Sequence, residues 1–415
     1  MRFRVSYQRP PLPILIEIDG LPIYWVQTEG PLASFVAIWE APALKEYPAG
    51  LRRLLLRLMS EENEVYPAGK LHEQLHRLGW QAQWSAGRDT LTLSGEGLKE
   101  GLSRALDILY TAVAAPLLAG PEVGRHLTQL VQAEKRARAH PAYQGDSRLA
   151  FHLWGRTYSH TGSTPIEVLE RMDTTQLRPY YERFILRGLK SLIIAAAEVP
   201  FALLRRWSCW HQRISYELPL PMQDLLIREA IPMAQAQQVS LRLAFPWVPP
   251  LHPQYAFYRL ALMRLGGYFG AILMQSVREE GGLTYGIYAH PERCLAGSYF
   301  VISAEVATPR AEEAVSRIYK AVESWHLNPF PTEDVLLEVR NLLLLQSMPE
   351  TIQEWVSRLT RAIGANVPIE FVVHQDQEIA AIERREDWPE IVLPHSPAVE
   401  VAIGTAEPIF AASCG

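Results

Sequence analysis

The stretch "KLHEQLHRLGW", residues 70–80, places two histidines four positions apart, with a glutamate directly after the first. On a helix this spacing puts both imidazoles on one face, where they can bind zinc while the glutamate acts as a general base. His72, Glu73 and His76 are therefore candidates for a metal-dependent hydrolytic site. A zinc-binding helix at this place is one hypothesis for the function of the chain.

The surroundings of this motif favour a solvated helix face instead. A zinc site of this type needs a third protein ligand downstream, and the position where the extended motif would supply one is Ala82. Pro67 predicts that the helix begins just before the motif, so both histidines lie beside, and not within, the apolar stripe of leucines 71, 75 and 78. We expect this helix to carry no metal.

Composition restricts the function further. The chain has 415 residues, 48% of them hydrophobic, and a net charge of -5, so it can bury a large core and presents no basic field for nucleic acid. Its three cysteines, Cys209, Cys294 and Cys414, are far apart and suggest neither disulfides nor a thiolate metal site. The N-terminus lacks the apolar core of a signal peptide, and no apolar run reaches the roughly 18 residues of a membrane span. A cytoplasmic protein is predicted.

The pattern of strands and helices that would position catalytic residues occurs twice along the chain. The strand pattern "FVAIWEA" from Phe35 returns as "VSLRLAF" from Val239, 204 positions later, and "TLTLSGE" from Thr90 returns as "YFVISAE" from Tyr299, 209 positions later. Helical patterns follow each strand in the same order. The repeat predicts two copies of one α+β unit, at residues 1–205 and 222–415, each an antiparallel-rich sheet with helices packed on one face.

A second candidate site lies on the helix predicted over "GLRRLLLRLM", Gly50 to Met59. Leucines at 51, 54, 55 and 58 form its buried stripe, and the other side carries Arg52, Arg53, Leu56 and Arg57. Together with the following "LHRLGWQAQWSAGRDTLTLSGEGLKEGLSRALDILYTAVAAPLL", this segment resembles the pitrilysin family of zinc metallopeptidases, the inverzincins. The resemblance covers nearly the whole chain. It implies two α/β-roll domains of the pitrilysin and mitochondrial-processing-peptidase type.

The resemblance also implies that the zinc site is degenerate. The two metal histidines of the family fall on Arg53 and Arg57, the catalytic glutamate falls on Leu56, and the third ligand falls on Glu134, 77 positions after Arg57. A guanidinium keeps its proton and offers no lone pair to a metal. We therefore expect no zinc in this chain, with Glu134 either paired with one of the arginines or solvated on its helix.

The segment "RLGGYFGAILMQSVREEGGLTYGIYAH", Arg264 to His290, resembles the substrate-anchoring segment in the non-catalytic half of these enzymes. Arg278 and Tyr285 match the family's peptide-binding pair, and Gly266 and Gly267 match its glycine-rich turn. Gly281 and Gly282 end the helix, so Arg278 and Tyr285 can converge across the turn. The alternative is structural: the arginine caps the helix and the tyrosine packs in the sheet.

These residues lead to three functional hypotheses. The resemblance implies a non-catalytic subunit that pairs with a zinc-bearing homologue, binds the peptide substrate through Arg278 and Tyr285, and holds no cofactor of its own. A catalytically dead structural subunit of a larger complex is the first alternative. A zinc protease that uses His72, Glu73 and His76 is the second.

Overall fold

A computed structural model of the protein describes residues 10–42, 49–67, 69–159, 163–212, 226–233, 236–384, 386, 388–404 and 409–410, with only the backbone for 156–159. The strands of the N-terminal half are β1 (Ile14–Ile18), β2 (Leu21–Gln27), β3 (Leu32–Glu40), β4 (Trp80–Ala86), β5 (Thr90–Leu98) and β6 (Leu189–Ala196). Its helices are α1 (Leu51–Glu61), α2 (Lys70–Arg77), α3 (Leu102–Ala114), α4 (Pro121–Ala137), α5 (Pro141–Ser159), α6 (Ile166–Glu170), α7 (Leu177–Phe184) and α8 (Phe201–Ser208).

The C-terminal half follows a similar order, with five described strands in place of six. Its strands are β7 (Ile227–Ile231), β8 (Gln238–Pro246), β9 (Thr284–Cys294), β10 (Gly297–Ala307) and β11 (Val399–Ile403). Its helices are α9 (Tyr255–Leu262), α10 (Ala311–Leu327), α11 (Glu333–Ser347), α12 (Ile352–Gly364) and α13 (Ile369–Ala381). Two π-helical turns, Met263–Gly267 and Met274–Glu279, lie between α9 and β9.

Each half forms one mixed sheet. The strand order is β1-β2-β6-β3-β5-β4 in the first half and β7-β11-β8-β10-β9 in the second. In both, the last strand of the half pairs parallel with an early strand and antiparallel with the central one, while the remaining neighbours are antiparallel. The register repeats as well, because Ser34 faces Glu96 across the first sheet and Ser240 faces Glu305 across the second. The predicted pair of related α+β units is confirmed.

The first core fills the space between one face of the first sheet and helices α1, α3, α4 and α7. Helix α8, which spans the predicted end of the first unit at residue 205, also contributes Leu204 and Trp207 to this core. The second core is built in the same way from its own sheet, α9, α10 and the π-helical turns. Periodicity in the sequence predicts this layer in each half.

The other face of each sheet is covered by a helix from the opposite half. Leu149, Leu153 and Trp154 of α5 pack on β10 and β11 of the second sheet. Reciprocally, Trp355 and Leu359 of α12 pack on β3 and β6 of the first sheet. This exchange explains why the central strands β3 and β8 are buried along nearly their whole length, since both of their faces are covered.

Polar contacts join the halves at the edges of this exchange. Arg88 Nη1 donates to Glu292 Oε2 at 2.6 Å, and Arg242 Nε donates to Asp146 Oδ1 at 2.6 Å. None of the described helices combines the length and the apolar composition of a membrane span.

Candidate functional site

Helix α1 begins after Gly50, a position that does not tolerate a side chain. Gly50, at the N-cap, has φ of 89°, and a Cβ there would lie 2.8 Å from Leu169 Cδ2. The leucine stripe behind it is fully buried in the first core. The start and the rotation of the helix are thus fixed by packing, and so are the directions in which its arginines point.

The sequence pattern predicts the first of these arginines, Arg52, on the polar side of the helix, and the structure buries it instead. Arg52 is 1% exposed and donates to the backbone carbonyl oxygens of Ala41 and Gly87. It therefore connects α1 to the β4–β5 hairpin. Its role is structural, because carbonyl oxygens of the fold already bind its guanidinium.

Arg53 and Glu134 form an ion pair at the position that the resemblance assigns to the metal site. Arg53 Nη1 donates to Glu134 Oε2 at 2.8 Å, and the Glu134 side chain is fully buried. Arg138, one turn further along α4, donates from Nε to Glu134 Oε1 at 3.0 Å. The expectation that Glu134 pairs with one of the arginines agrees with this geometry, and the alternative of a solvated glutamate does not.

Two hydroxyl groups complete the surroundings of this carboxylate. Tyr143 donates to Glu134 Oε2 at 2.8 Å, and Ser163 donates to Glu134 Oε1 at 3.3 Å. Burial raises the pKa of the Tyr143 hydroxyl, which keeps it protonated and able to donate. Each carboxylate oxygen thus has one guanidinium and one hydroxyl donor, so both are already satisfied without a metal ion.

The remaining positions of the degenerate motif supply no replacement. Leu56, at the position that the resemblance assigns to the general base, is 8% exposed and belongs to the first core. Arg57 follows Arg53 by one helical turn and is half-buried. Among the described residues, no group of three or more His, Cys, Asp or Glu side chains is arranged to bind a metal. These residues do not fit a zinc ion.

Helix α2 carries His72, Glu73 and His76 on the surface of the first half. The two imidazole rings lie 6.3 Å apart, and His76 is exposed. Glu73 accepts from Lys70 Nζ at 2.6 Å and also pairs with Arg77. The hydrogen bond from Lys70, then the charges of Lys70 and Arg77, hold the pKa of Glu73 below its usual value, whereas a general base needs a pKa nearer neutral.

The segment with Arg278 occupies in the second half the place that α2 occupies in the first. Both helical segments are followed by a glycine with positive φ, 66° at Gly79 and 59° at Gly282, and then by an edge strand, β4 or β9. Gly282 N donates to Arg278 O at 2.8 Å, which ends the π-helical turn. The predicted stop at the two glycines agrees with this geometry.

The guanidinium of Arg278 is held beside the glycine-rich turn. Its Cζ lies 4.9 Å from the centre of the Phe269 ring, and its Nε lies 3.6 Å from Glu279 Oε1. The side chain remains 35% exposed. Phe269, itself 58% exposed, lies in the glycine-rich turn, and the sequence pattern does not predict its contact with Arg278. Contact between an arginine and an aromatic face restricts the guanidinium while leaving its N–H groups available.

Tyr285 is 88% exposed, which excludes the alternative that it packs in the sheet. The cause is a β-bulge: Ile287 faces Ala304 and Thr284 faces Val306, so Tyr285 and Gly286 together oppose the single residue Glu305. The side chain of Tyr285 makes no hydrogen bond or ring contact with any described residue, including Arg278. The two predicted partners lie on either side of one turn without touching each other.

The glycines of the preceding turn are explained by packing. A Cβ at Gly266 would lie 2.5 Å from the backbone nitrogen of Ala289 in β9, and one at Gly267 would lie 2.5 Å from Met263 Sδ. Gly266 thus brings the turn against the strand that carries Tyr285. Direct contact of Gly266 or Gly267 with a substrate stays a prediction.

Comparisons with known proteins bear on this arrangement. A sequence model of the family described as "Peptidase M16 inactive domain" matches residues 213–342, which include Arg278 and Tyr285. A search of curated proteins by sequence found no match. The structure of a peptidase M16 inactive domain from Pseudomonas fluorescens is 20% identical, with a TM-score of 0.85 over 94% of this chain and 98% of that one.

Two further solved structures have the same fold. A protease from Helicobacter pylori is 13% identical, with a TM-score of 0.82 over 94% of this chain and all of that one (100%). A conserved protein from Enterococcus faecalis is 14% identical, with a TM-score of 0.73 over 96% of this chain and 100% of that one. The predicted fold is confirmed, and the family model supports the predicted resemblance over residues 213–342.

Proposed function

We propose that this chain is the non-catalytic subunit of a heterodimeric zinc metalloendopeptidase, in which a zinc-bearing homologue cuts the peptide that this chain binds. The observation that carries the proposal is the contrast between two arginine sites. Arg53 is neutralised by the buried Glu134, whereas Arg278 and Tyr285 present polar groups at the surface. Cleavage needs the metal and base that this chain does not offer at its degenerate motif.

The exposed pair has the chemistry for an extended peptide backbone. A guanidinium donates two parallel N–H groups to carbonyl oxygens, and a tyrosine hydroxyl donates one more. The Phe269 ring holds the guanidinium of Arg278 in place, which reduces the entropy lost when a peptide binds. The bulge at Tyr285 directs the ring away from the core, so the hydroxyl can reach a ligand.

The proposed partner supplies zinc and the general base, and the proposed location of the pair is the cytoplasm. Cys209 and Cys294 are free thiols, in agreement with the reducing compartment that the sequence favours.

A structural subunit is the second candidate, and one observation favours it. Arg278 already contacts Phe269 and Glu279, so its charge is partly satisfied without a substrate. In that case Arg278 and Tyr285 would be remnants of a peptide-binding site in a protein whose role is structural. Peptidase activity of the reconstituted heterodimer distinguishes the two candidates.

The experiment mixes this chain with a zinc-bearing homologue from the same genome and follows cleavage of an internally quenched peptide. We expect the mixture to cleave the peptide at least about tenfold faster than either protein alone, because Arg and Tyr donors orient the substrate. Arg278→Ala and Tyr285→Phe should each lower the activity of the pair. Tyr288→Phe is the matched control, since Tyr288 is 54% exposed on the same strand, three positions from Tyr285.

Full activity of the homologue by itself, with no change on adding this chain or either variant, would refute the proposal. Copurification of this chain with a large membrane complex and not with a peptidase would favour the structural subunit.

A further inference from the structure

A cavity of about 940 Å³ lies at the seam between the two halves. Its walls are the β4–β5 hairpin of the first half, the β9–β10 hairpin and the loop after β8 of the second half, and the C-terminal part of the exchanged helix α12. This volume is within the range of small-molecule sites in proteins. None of the residues considered above for peptide binding lines it, so the cavity is a separate feature of the molecule.

The charged groups in the wall are unbalanced. Three arginines, Arg88, Arg293 and Arg361, and one carboxylate, Asp89, line the cavity. Arg88 pairs with Glu292 at 2.6 Å, and Asp89 Oδ2 accepts from the backbone N–H of Leu295 at 2.9 Å. Among the described residues, neither Arg293 nor Arg361 forms an ion pair. Two positive charges therefore face the cavity without a partner from the described part of the chain.

The electrostatics of Arg361 agree with this surplus. Its pKa is lowered by burial first, and then by the neighbouring charges of Arg358 and Arg293. A guanidinium stays protonated under these conditions, so Arg293 and Arg361 repel each other across the cavity. Cys294 does not offset them, because burial raises the pKa of its thiol to about 12 and keeps it neutral. An anion placed between the two arginines would remove this repulsion.

The rest of the wall is mixed in character. Ser357 and Thr360 lie on the same side of α12 as Arg361 and add hydroxyl donors. Trp247, Pro249 and Pro250, in the loop after β8, form an apolar surface. A bare inorganic ion would leave that apolar surface unused, whereas a ligand with an anionic group and an apolar part would contact both.

We propose that the cavity binds a small organic anion, whose carboxylate or phosphate group lies between Arg293 and Arg361 and whose apolar part packs against Trp247 and the two prolines. The cavity forms only when both halves are present, since the β4–β5 hairpin of the first half and β9, β10 and α12 of the second half make its walls. This site is independent of the proposed peptide-binding function, because binding can be measured on this chain alone.

Isothermal titration calorimetry of the full chain tests the proposal with three probes. Phenyl phosphate and N-acetylphenylalanine each combine an oxoanion with an aromatic ring, and the amide of N-acetylphenylalanine is the neutral control. We expect at least one of the two anions to bind with one site per chain and the amide not to bind. Preference for phenyl phosphate would assign a phosphate ligand, and preference for N-acetylphenylalanine a carboxylate ligand.

Arg293→Ala and Arg361→Ala should each weaken the binding at least tenfold, and circular dichroism checks that both variants are folded. Arg178→Ala is the matched control, because Arg178 is an exposed arginine on α7, outside the cavity, and should leave the affinity unchanged. Binding of neither anion, or binding that both cavity variants leave intact, would overturn the proposal.

Discussion

The two halves of this molecule share one architecture but use arginine in opposite ways. In the first half, Arg53 meets a fully buried carboxylate, and Arg138, Tyr143 and Ser163 complete its surroundings. In the second half, Arg278 lies on an aromatic ring and stays 35% exposed. A charge that the fold fully satisfies serves the fold, and one left accessible can serve a ligand.

The first site also joins two helices. Arg53 of α1 and Arg138 of α4 both pair with the buried Glu134, so this carboxylate is fully bonded where α1 meets α4.

The largest effect is expected from Glu134→Ala, which tests whether the first site is structural. Two arginines would lose their shared carboxylate, at a cost of about 3 kcal/mol in the free energy of unfolding. Urea unfolding followed by circular dichroism measures this. The control Glu170→Ala removes an exposed partner of Lys135 and should leave the midpoint nearly unchanged. Equal midpoints for both variants would contradict the structural role.

Arg278→Lys tests whether the second site depends on the shape of the guanidinium and not only on its charge. Lysine keeps the charge but loses the planar fork and the stack on Phe269, so we expect about tenfold lower peptidase activity in the heterodimer. The kinetics of peptide cleavage give kcat and KM separately. A lysine variant as active as the wild type would show that charge alone suffices.

Phe269→Ala should have a smaller effect in the same assay. Loss of the contact between the ring and Arg278 is worth about 0.5–1 kcal/mol at an exposed site, or roughly a twofold to fivefold loss of activity. Combined with Arg278→Ala it should add nothing further, because the ring acts through the arginine. Additive losses would instead assign Phe269 an independent contact with the peptide.

The smallest effect is expected from His76→Ala, which tests the remaining zinc hypothesis. Glu73 is occupied by Lys70 and Arg77, and the described residues offer no third ligand, so the zinc content of the purified chain should not change. Elemental analysis measures it. About one zinc per chain in the wild type, lost in this variant, would instead support a zinc protease that uses His72, Glu73 and His76.

Local features of the sequence predict much of the fold and part of the site. The family resemblance, and not the leucine stripe of α1, brings Arg53 and Glu134 together in the sequence analysis, and their contact agrees with it. Alternation along the strands predicts two related sheets. The burial of Arg52 was not predicted, because it depends on carbonyl oxygens of the distant hairpin around Gly87, which no periodicity reveals.

The exchange of α5 and α12 was also outside the reach of sequence patterns. A helix stripe indicates that one side is buried but not which sheet buries it. The exposure of Tyr285 likewise depends on a one-residue mismatch between β9 and β10, which the alternation of the strand does not show.

Because α5 and α12 each cover the sheet of the other half, neither half can bury both faces of its own sheet with its own helices. A polypeptide cut between the halves would leave Val36 and Ile38 on one fragment, and Val301 and Val401 on the other, open to water. A protein with a single unit of this design would need a second copy of itself, whose helix would cover the open face of its sheet. The present chain has the arrangement of such a swapped homodimer joined into one polypeptide.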